Sequence, residues 1–308
     1  MAKSVLCIGA TLIDELFFCE NTIVHNSSNP AQKSFSIGGV ISNVVQHLAL
    51  LGVKPSLITA LGNDNDADFI VKTFCKMNIE LNESIVAEDS TGKYVSIQNS
   101  DGSLYVAACQ DISLKYITVA FLESKVDYIR NYDLIVIDTN LGTNAIQWLI
   151  GFSKINNKKL IIEPVSVSKA TKLSQINLQG VYMITPNEEE LVSIANNKTE
   201  NEMQLIENLL KRGVEKIWIR KGNKGSVMHE LNKSIHLNVP IIQIVDSTGA
   251  GDAALSGWIF GFINNENDIT SLALGHSLAL EILKIKGTID YSITKENLNK
   301  IKKAYYNE

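Results

Sequence analysis

The sequence lacks the features that mark several large classes of protein. Its four cysteines are widely spaced and form no CxxC pair, which argues against a disulfide framework or a zinc site. No apolar run reaches about 18 residues, so a transmembrane helix is not expected. The N-terminal sequence has no signal-peptide pattern. These absences predict a cytoplasmic protein with reduced thiols and no membrane partner.

Charge patterning and missing nucleotide motifs exclude further classes. The net charge of −5 comes from mixed acidic and basic residues, and no basic tract predicts a nucleic-acid partner. The motif GxxxxGK[ST] is absent, which excludes a P-loop enzyme. The first apolar run ends in Gly9-Ala10-Thr11-Leu12 without GxGxxG, so a dinucleotide site of the reductase type lacks its glycines.

Regular alternation of strand and helix patterns dominates the rest of the chain. A hydrophobic content of 45% in 308 residues is enough for a substantial core. Short apolar runs separated by helical patterns predict a mostly parallel sheet with helices on both faces, a three-layer α/β/α fold. Three of these runs end at Asp138, Glu163 and Asn187, which are therefore expected on one rim of the sheet.

One segment differs from this alternation. Tyr94–Gln98 and Leu104–Ala108 flank Asn99-Ser100-Asp101-Gly102, which is a hairpin signature. An antiparallel hairpin inside an alternating chain predicts an excursion from the main sheet. Leu16–Phe35 is rich in asparagine and serine and is interpreted as irregular.

The most informative stretch runs from Ile244 to Phe262. A β-rich run, Ile241–Val245, ends at Asp246, small residues follow, and Asp252 opens an apolar helix. Glycines at a helix start let a ligand approach the backbone, and the unpaired N–H groups there favour anions. Asp252 at such a site could take a proton from a hydroxyl or could simply cap its helix. Local evidence leaves both interpretations open.

The whole stretch DSTGAGDAALSGW resembles the C-terminal signature of the PfkB-type (ribokinase-like) carbohydrate and nucleoside kinases. The resemblance implies ATP-dependent phosphoryl transfer with Asp252 as catalytic base. It also implies an anion hole built from the amides of Gly249, Ala250 and Gly251, with Thr248, Gly249 and Gly251 beside ATP. Asp246 and Thr248 match residues near a monovalent-cation site, for which K⁺ is the candidate ion.

A second block of the same resemblance lies near the N-terminus. IGATLIDE is similar to the strand and aspartate that grip the sugar, which assigns Asp14 to the acceptor. Gly38, Gly39 and Asn43 open a predicted helix and match residues that line the ribose site. Without the resemblance, Asp14 reads as a turn residue and Asn43 as a helix cap.

The nucleotide and its metal ion are assigned by shorter motifs. Asn187 and Glu190 share one face of a helix start; they suit a helix cap, and they match a family motif that holds Mg²⁺ largely through water. The resemblance also places Lys221, Gly222, Gly225 and His276 at the nucleotide, the last beside the adenine. Their alternatives are a tight turn with exposed lysines and a packing histidine. The roles of Lys169 and Asp111 stay open.

One detail narrows the substrate. Ser28-Asn29-Pro30 ahead of Gly38-Gly39-Val40 and Asn43 resembles the pseudouridine kinases of the family, although Ile41-Ser42 replaces their Gly-Arg. The expected reaction is phosphorylation of the 5′-hydroxyl of pseudouridine. The alternatives are another ribosyl acceptor (ribose, adenosine or inosine) and a catalytically silent nucleoside sensor.

The family resemblance also implies the domain organisation. Residues 1–308 are expected to form one kinase domain with a discontinuous β lid over about 12–36 and 91–110. Such a lid excludes water, which would otherwise compete as the phosphoryl acceptor. Many relatives dimerise through the lid, and for this chain dimerisation is left open.

Overall fold

A large central sheet and a smaller second sheet organise the computed structural model, which describes residues 3–197 and 201–306. Within these residues the strands are β1 (Val5–Ile8), β2 (Leu12–Cys19), β3 (Ala31–Gly38), β4 (Ser56–Ile58), β5 (Ala60–Leu61), β6 (Ile85–Val86), β7 (Lys93–Gln98), β8 (Leu104–Gln110), β9 (Leu134–Asp138), β10 (Lys159–Glu163), β11 (Met183–Ile184), β12 (Lys216–Arg220), β13 (Ser226–Glu230) and β14 (Lys233–Leu237).

Helices connect these strands and cover the central sheet. They are α1 (Val40–Leu50), α2 (Asn65–Lys76), α3 (Ser113–Tyr116), α4 (Val119–Ser124), α5 (Val126–Arg130), α6 (Thr143–Ile155), α7 (Val167–Ala170), α8 (Glu188–Ala195), α9 (Glu202–Lys211), α10 (Ala250–Ile263), α11 (Asp268–Ile282) and α12 (Lys295–Tyr306). Short 3₁₀ turns occur at Thr171–Gln175 and Gly222–Lys224.

The central sheet has eight strands in the order β14-β13-β12-β11-β10-β9-β1-β4. All neighbours from β4 to β12 pair in parallel, and only β13 and β14 are antiparallel. Strand β1 explains why the sheet needs helices on both faces. Val5 and Cys7 belong to one apolar cluster, Leu6 and Ile8 belong to the other, and all are at most 1% exposed. The predicted three-layer, mostly parallel fold is confirmed.

The second sheet has the order β3-β2-β7-β8 and stands apart from the central one. Strands β7 and β8 form the predicted hairpin, and its turn closes with a 2.9 Å hydrogen bond from the Gly102 N–H to the Asn99 carbonyl. Every residue of β8 is exposed, so this sheet buries little apolar surface of its own. The predicted small sheet outside the main one is confirmed.

Two expectations about secondary structure need correction. Leu16–Phe35 is irregular only in part, because β2 continues to Cys19 and β3 begins at Ala31, so the loop-forming residues occupy only 20–30. Ile241–Val245 does not form a strand, and Ile241, Ile244 and Val245 are exposed. β-Branched residues favour an extended backbone, but a strand also needs a hydrogen-bonding neighbour.

Three further observations bear on protein class. Among the described residues, no helix combines the length and apolarity needed to cross a bilayer. Cys7 and Cys19 are buried free thiols, and Cys75 and Cys109 are exposed free thiols. Residues 3–197 and 201–306 also contain no cluster of three or more histidine, cysteine, aspartate or glutamate side chains suited to a metal ion.

Candidate active site

The N-terminus of α10 forms the centre of the candidate site. Gly249 precedes the helix with a left-handed φ of 76°, and a Cβ there would lie 2.8 Å from the Thr288 Cβ. Glycine is therefore the residue that this close approach allows. The Ala250 N–H donates a long 3.4 Å hydrogen bond to the Ser247 carbonyl, whereas the Gly249 and Gly251 N–H groups have no such partner in the described chain. The helix thus presents backbone donors to an anion.

Asp252 lies in the first turn of this helix and is only 9% exposed. Burial raises the pKa of its carboxyl to about 7, and a hydrogen bond from Asn43 acts in the opposite direction. A carboxyl with this pKa is divided between its protonated and ionised forms near neutral pH, which suits a group that accepts a proton during turnover. Asp252 forms no side-chain cap for α10.

Asn43 joins helix α1 to helix α10. Its Nδ2 donates to Oδ2 of Asp252 at 2.8 Å, and its Oδ1 accepts from the Thr288 hydroxyl at 3.3 Å. Helix α1 can begin close to β1 because Gly39 has a φ of 100° and lacks a Cβ, which would come within 2.5 Å of the Ala10 carbonyl oxygen. The backbone at Gly39 therefore sets the position of Asn43.

Asp14 lies on β2 beside the same helix start. A Cβ at Gly38 would be 2.3 Å from the Asp14 carboxyl, so the glycine makes room for this side chain. Burial raises the pKa of Asp14 to about 6. The carboxyl is therefore mainly ionised at neutral pH and can accept hydrogen bonds from hydroxyl groups. Asp14, Gly38, Gly39 and Asn43 are thus brought together.

Asn187 and Glu190 form a reciprocal helix cap at the start of α8. The Glu190 N–H donates to Oδ1 of Asn187 at 2.8 Å, and the Asn187 N–H donates to Oε2 of Glu190 at 2.9 Å. Oε1 of Glu190 has no hydrogen-bond partner among the described residues, and burial raises the pKa of the carboxyl. The capping alternative is therefore realised, and one carboxylate oxygen of Glu190 remains available for a cation.

The expected monovalent-cation residues bind each other. Oδ1 of Asp246 accepts from the Thr248 N–H (2.9 Å) and hydroxyl (2.7 Å), and Oδ2 accepts from the Gly287 N–H at 3.1 Å. Burial alone would raise the pKa of Asp246, but these hydrogen bonds together lower it. The carboxylate is thus kept ionised and ties the segment before α10 to the loop at Gly287.

The turn after β12 is held by contacts that do not involve a nucleotide. Lys221 pairs with Glu202 at 2.6 Å and lies 3.9 Å from Glu188. Gly222 and Gly225 have φ values of 55° and 82°, and a Cβ at Gly225 would meet the Leu237 carbonyl oxygen at 2.1 Å. Gly225 is therefore required by packing against β14, and the Lys221 ammonium is already engaged by carboxylates.

His276 is buried within the packing between α11 and its neighbours. Its Nε2 is 2.8 Å from the Ser226 hydroxyl, its Nδ1 is 3.2 Å from the Tyr306 hydroxyl, and its ring stacks on Trp218. Burial lowers the pKa of the imidazole to about 4, so the ring is neutral. Both ring nitrogens are engaged and the side chain is only 5% exposed, so the expected contact with adenine stays a prediction.

Lys169 and Asp111, whose roles the sequence leaves open, lie near the rim at the ends of β9 and β10. Lys169 donates a hydrogen bond to Oδ1 of Asn140, and Asp138 accepts from the Asn140 backbone (3.0 Å) and side chain (2.8 Å). Asp138 is fully buried, and burial raises its pKa to about 7. Lys169 and Asp111 both lie close enough to Cys109 on β8 to affect its pKa. Lys169 is thus partly buried against Asn140 and is not a freely solvated lysine.

Sequence reasoning missed Arg220 and Thr288. Arg220 ends β12 and pairs with Glu163 at 2.7 Å, and a Cβ at Gly251 would be 2.6 Å from its Nη1. Its position at the end of β12 was the available signal, but the family motif assigned the following Lys221 and Gly222 to the nucleotide instead. Thr288 lies in a loop near the C-terminus, and no sequence pattern connects it with Asn43.

Comparison with known proteins agrees with this architecture. The profile described as "pfkB family carbohydrate kinase" matches residues 2–295. The chain is 26% identical over 266 residues to a pseudouridine kinase of Escherichia coli, covering 83% of this chain and 84% of that protein. It is 25% identical to a ribokinase of Staphylococcus aureus, covering 84% and 86%.

The same fold is found in solved structures. A ribokinase of Arabidopsis thaliana, complexed with ribose and ATP, superposes with a TM-score of 0.85 at 19% identity. The superposition covers 98% of this chain and 99% of that one. At this identity the likeness establishes the fold.

Proposed function

This chain belongs to the pfkB family of carbohydrate kinases, and we propose that it transfers the γ-phosphate of ATP to the 5′-hydroxyl of pseudouridine. The products are pseudouridine 5′-phosphate and ADP. The observation that carries the reaction is the buried Asp252 carboxyl in the first turn of α10, held at 2.8 Å by Asn43.

Asp252 acts as the general base. Asn43 donates to Oδ2, which leaves Oδ1 to accept the proton of the attacking hydroxyl. As that proton moves to Asp252, the acceptor oxygen forms a bond to the γ-phosphorus, and the bond from this phosphorus to the β–γ bridging oxygen breaks. A pKa of about 7 lets the carboxyl accept a proton and release it again near neutral pH.

The start of α10 stabilises the charge on the transferring group. Gly249, Ala250 and Gly251 supply backbone N–H groups at the positive end of the helix, and Thr248 precedes them. A preorganised donor of this kind contributes roughly 3–4 kcal/mol to transition-state stabilisation. Gly222 and Gly225 supply a compact turn that borders the nucleotide, and a phosphate contact by Lys221 would require it to leave Glu202.

The acceptor is held on the opposite side of Asp252. Ionised Asp14 accepts hydrogen bonds from ribosyl hydroxyls, and Asn43 can accept and donate at the same diol. Gly38 and Gly39 bring the backbone close to the acceptor without a side chain in between. Correct placement of the two reactants is worth several kcal/mol of the barrier.

Cations complete the site. Bound Mg²⁺ neutralises phosphate charge, and the free Oε1 of Glu190 together with Asn187 would hold it largely through water. Asp246 and Thr248 would hold K⁺, because a carboxylate oxygen and a hydroxyl oxygen lie 2.7 Å apart there on a segment tied to Gly287.

Pseudouridine is favoured over other acceptors by two similarities. A pseudouridine kinase is among the relatives, and Ser28-Asn29-Pro30 resembles that group. Asn29 forms hydrogen bonds with the Val24 backbone, at the end of the β2–β3 hairpin that is opposite Gly38. The tripeptide therefore supports pseudouridine as the substrate by its similarity alone, and not by a contact with Asp14. The relative named ribokinase supports ribose as the second candidate.

Release of ADP across a panel of acceptors tests the proposal. The purified chain is assayed with ATP and Mg²⁺ on pseudouridine, uridine, adenosine, inosine, ribose and fructose. Selective turnover of pseudouridine is expected. Turnover of ribose or a purine nucleoside instead would support the kinase activity and contradict pseudouridine as the substrate. Binding of a nucleoside without any turnover would favour the catalytically silent sensor.

A further inference from the structure

Arg220 places a cation at the helix end that the reaction uses for anion binding. We propose that Arg220 is a further catalytic residue, whose guanidinium contacts the transferring phosphoryl group beside the amides of Gly249 and Gly251. The inference rests on the phosphoryl transfer proposed above and goes beyond it by adding a side-chain donor to the anion site.

The guanidinium is anchored on one side and open on the other. Its Nη2 donates to Oε1 of Glu163 at 2.7 Å and to the Thr185 carbonyl. Nη1 and Nε donate to no other residue within 3–197 and 201–306. The side chain is 17% exposed, so its remaining donors are not sealed in the core. One edge therefore fixes the orientation of the guanidinium while the other edge stays available to a ligand.

The open edge faces the anion site. A Cβ at Gly251 would lie 2.6 Å from Nη1 of Arg220, so the missing side chain at this position lets the guanidinium reach the start of α10. Because Gly251 has an ordinary negative φ, backbone conformation does not explain why a glycine occupies this position. Close approach of Arg220 accounts for it.

The electrostatics keep the guanidinium charged at this position. A cation is disfavoured beside the positive N-terminus of a helix, so Arg220 needs compensating negative charge. Glu163, Glu190 and Asp252 lie close enough to supply it. Burial acts to lower the pKa of Arg220, but these carboxylates raise it, so the guanidinium stays charged.

The chemistry of the step needs such a donor. While the acceptor oxygen bonds to phosphorus and the bridging oxygen leaves with ADP, the three peripheral oxygens of the phosphoryl group carry charge. The two N–H groups of Nη1 can donate to these oxygens without giving up a proton, because Nη2 alone carries the bonds to Glu163 and to the Thr185 carbonyl. Nη2 can keep its bond to Glu163 throughout, so no rearrangement of the side chain is required.

The variants are chosen so that a buried charge is never left alone. Arg220→Gln by itself leaves Glu163 unpaired, which can destabilise the fold. The double variant Arg220→Gln with Glu163→Gln removes both charges, and Arg220→Lys keeps the charge without the planar pair of donors. Arg212→Lys is the matched control, because Arg212 donates to the carbonyls of Leu173 and Ile194, away from these residues.

Two readouts test the proposal on folded protein. In turnover, the double variant is expected to lose about 10²–10³-fold in kcat, with Arg220→Lys intermediate and Arg212→Lys close to the parent. In thermal unfolding, ADP with Mg²⁺ and aluminium fluoride, a mimic of the transferring group, is expected to stabilise the parent more than ADP with Mg²⁺ alone. The double variant is expected to keep the ADP shift and lose the fluoride increment.

The second readout separates this inference from the choice of acceptor, because it needs no turnover. A double variant that keeps the fluoride increment, or a parent without it, would overturn the role of Arg220. Loss of the increment together with failure of every acceptor in the panel would support Arg220 and contradict the proposed function.

Discussion

Nδ2 of Asn43 donates a 2.8 Å hydrogen bond to Oδ2 of Asp252, across 209 positions of the chain. Asn43 lies in the first turn of α1 and Asp252 in the first turn of α10, so the bond joins two helix starts. The bond links Asn43, which is expected to bind the acceptor, to Asp252, which is expected to activate the acceptor hydroxyl.

Replacing Asn43 should change the pH dependence of turnover. The bond from Asn43 lowers the pKa of Asp252, so Asn43→Ala should raise it further above 7. Since the base must be ionised to accept a proton, the acidic limb of kcat against pH should move to higher pH. Gln46→Ala is the control, because Gln46 is buried one turn along α1 and has no bond to Asp252. An unshifted limb would mean that Asn43 does not control the base.

Asp252→Asn should lower kcat by about 10²–10⁴-fold, because it removes the general base while keeping the shape of the side chain. The same variant should change stability with pH. The pKa of Asp252 rises from an ordinary 3.8 to about 7 on folding, so the folded state binds the extra proton between these values. The stability due to this proton is complete below about pH 4 and is lost as pH rises through 7.

Thermal unfolding of both proteins from pH 4 to 8 measures this effect. Relative to Asp252→Asn, the parent should lose stability as pH rises to about 7 and then change no further. Comparing the two proteins cancels the contributions of titrating carboxyls that do not interact with Asp252, such as Asp14. A constant difference at all pH values would contradict the raised pKa of Asp252.

Gly39→Ala should destabilise the chain more than Gly52→Ala. Both glycines have a left-handed backbone, with φ values of 100° and 79°, so each alanine carries a strain of about 1–2 kcal/mol. Only Gly39 adds a clash, 2.5 Å from the Ala10 carbonyl oxygen, whereas nothing lies within 4 Å at Gly52. Urea unfolding measures the difference. Equal losses would show that close approach at Gly39 is unimportant.

Glu190→Gln should raise the Mg²⁺ concentration needed for half-maximal turnover. Glutamine can still form the reciprocal cap of α8, so the variant removes charge with little change in the helix start. Glu189→Gln is the matched control, since Glu189 is exposed in the same turn. The same Mg²⁺ requirement in parent and Glu190→Gln would limit Glu190 to helix capping.

Asp246→Asn should remove activation by K⁺. Asp246 accepts from the Thr248 N–H and hydroxyl and from Gly287. Asp101 makes a similar pair of bonds to the backbone and hydroxyl of Ser103 in the β7–β8 turn, so Asp101→Asn tests the loss of such a turn away from Gly287. The measurement is the ratio of kcat in the presence of K⁺ to kcat in the presence of a large organic cation, for each variant. K⁺ activation that survives in Asp246→Asn would contradict the assigned cation site.

The sequence predicted the site best where residues close in the chain act together. Asp252 and the glycines before it lie on one helix start, and Gly38, Gly39 and Asn43 lie on another, so local patterns located both. The alternation of apolar runs likewise predicted the central sheet, because a strand buried on both faces has a continuous apolar sequence.

The sequence did not predict contacts that depend on distant segments. Arg220 reaches Gly251 and Glu163 only after β10 and β12 are placed in the sheet, and Thr288 reaches Asn43 across 245 positions. Ile241–Val245 has the composition of a strand but no strand beside it. His276 matched a family position, yet its packing against Trp218 depends on the surrounding core. The lid boundaries, dimerisation and cytoplasmic location stay predictions.

The most direct test of the central claim is ³¹P NMR of the product formed from ATP and pseudouridine. The account predicts a phosphate monoester whose resonance couples to the two 5′-methylene protons, formed by the parent and nearly absent with Asp252→Asn. A phosphate on another hydroxyl, or equal product from the two proteins, would contradict Asp252 as the base that activates a 5′-hydroxyl.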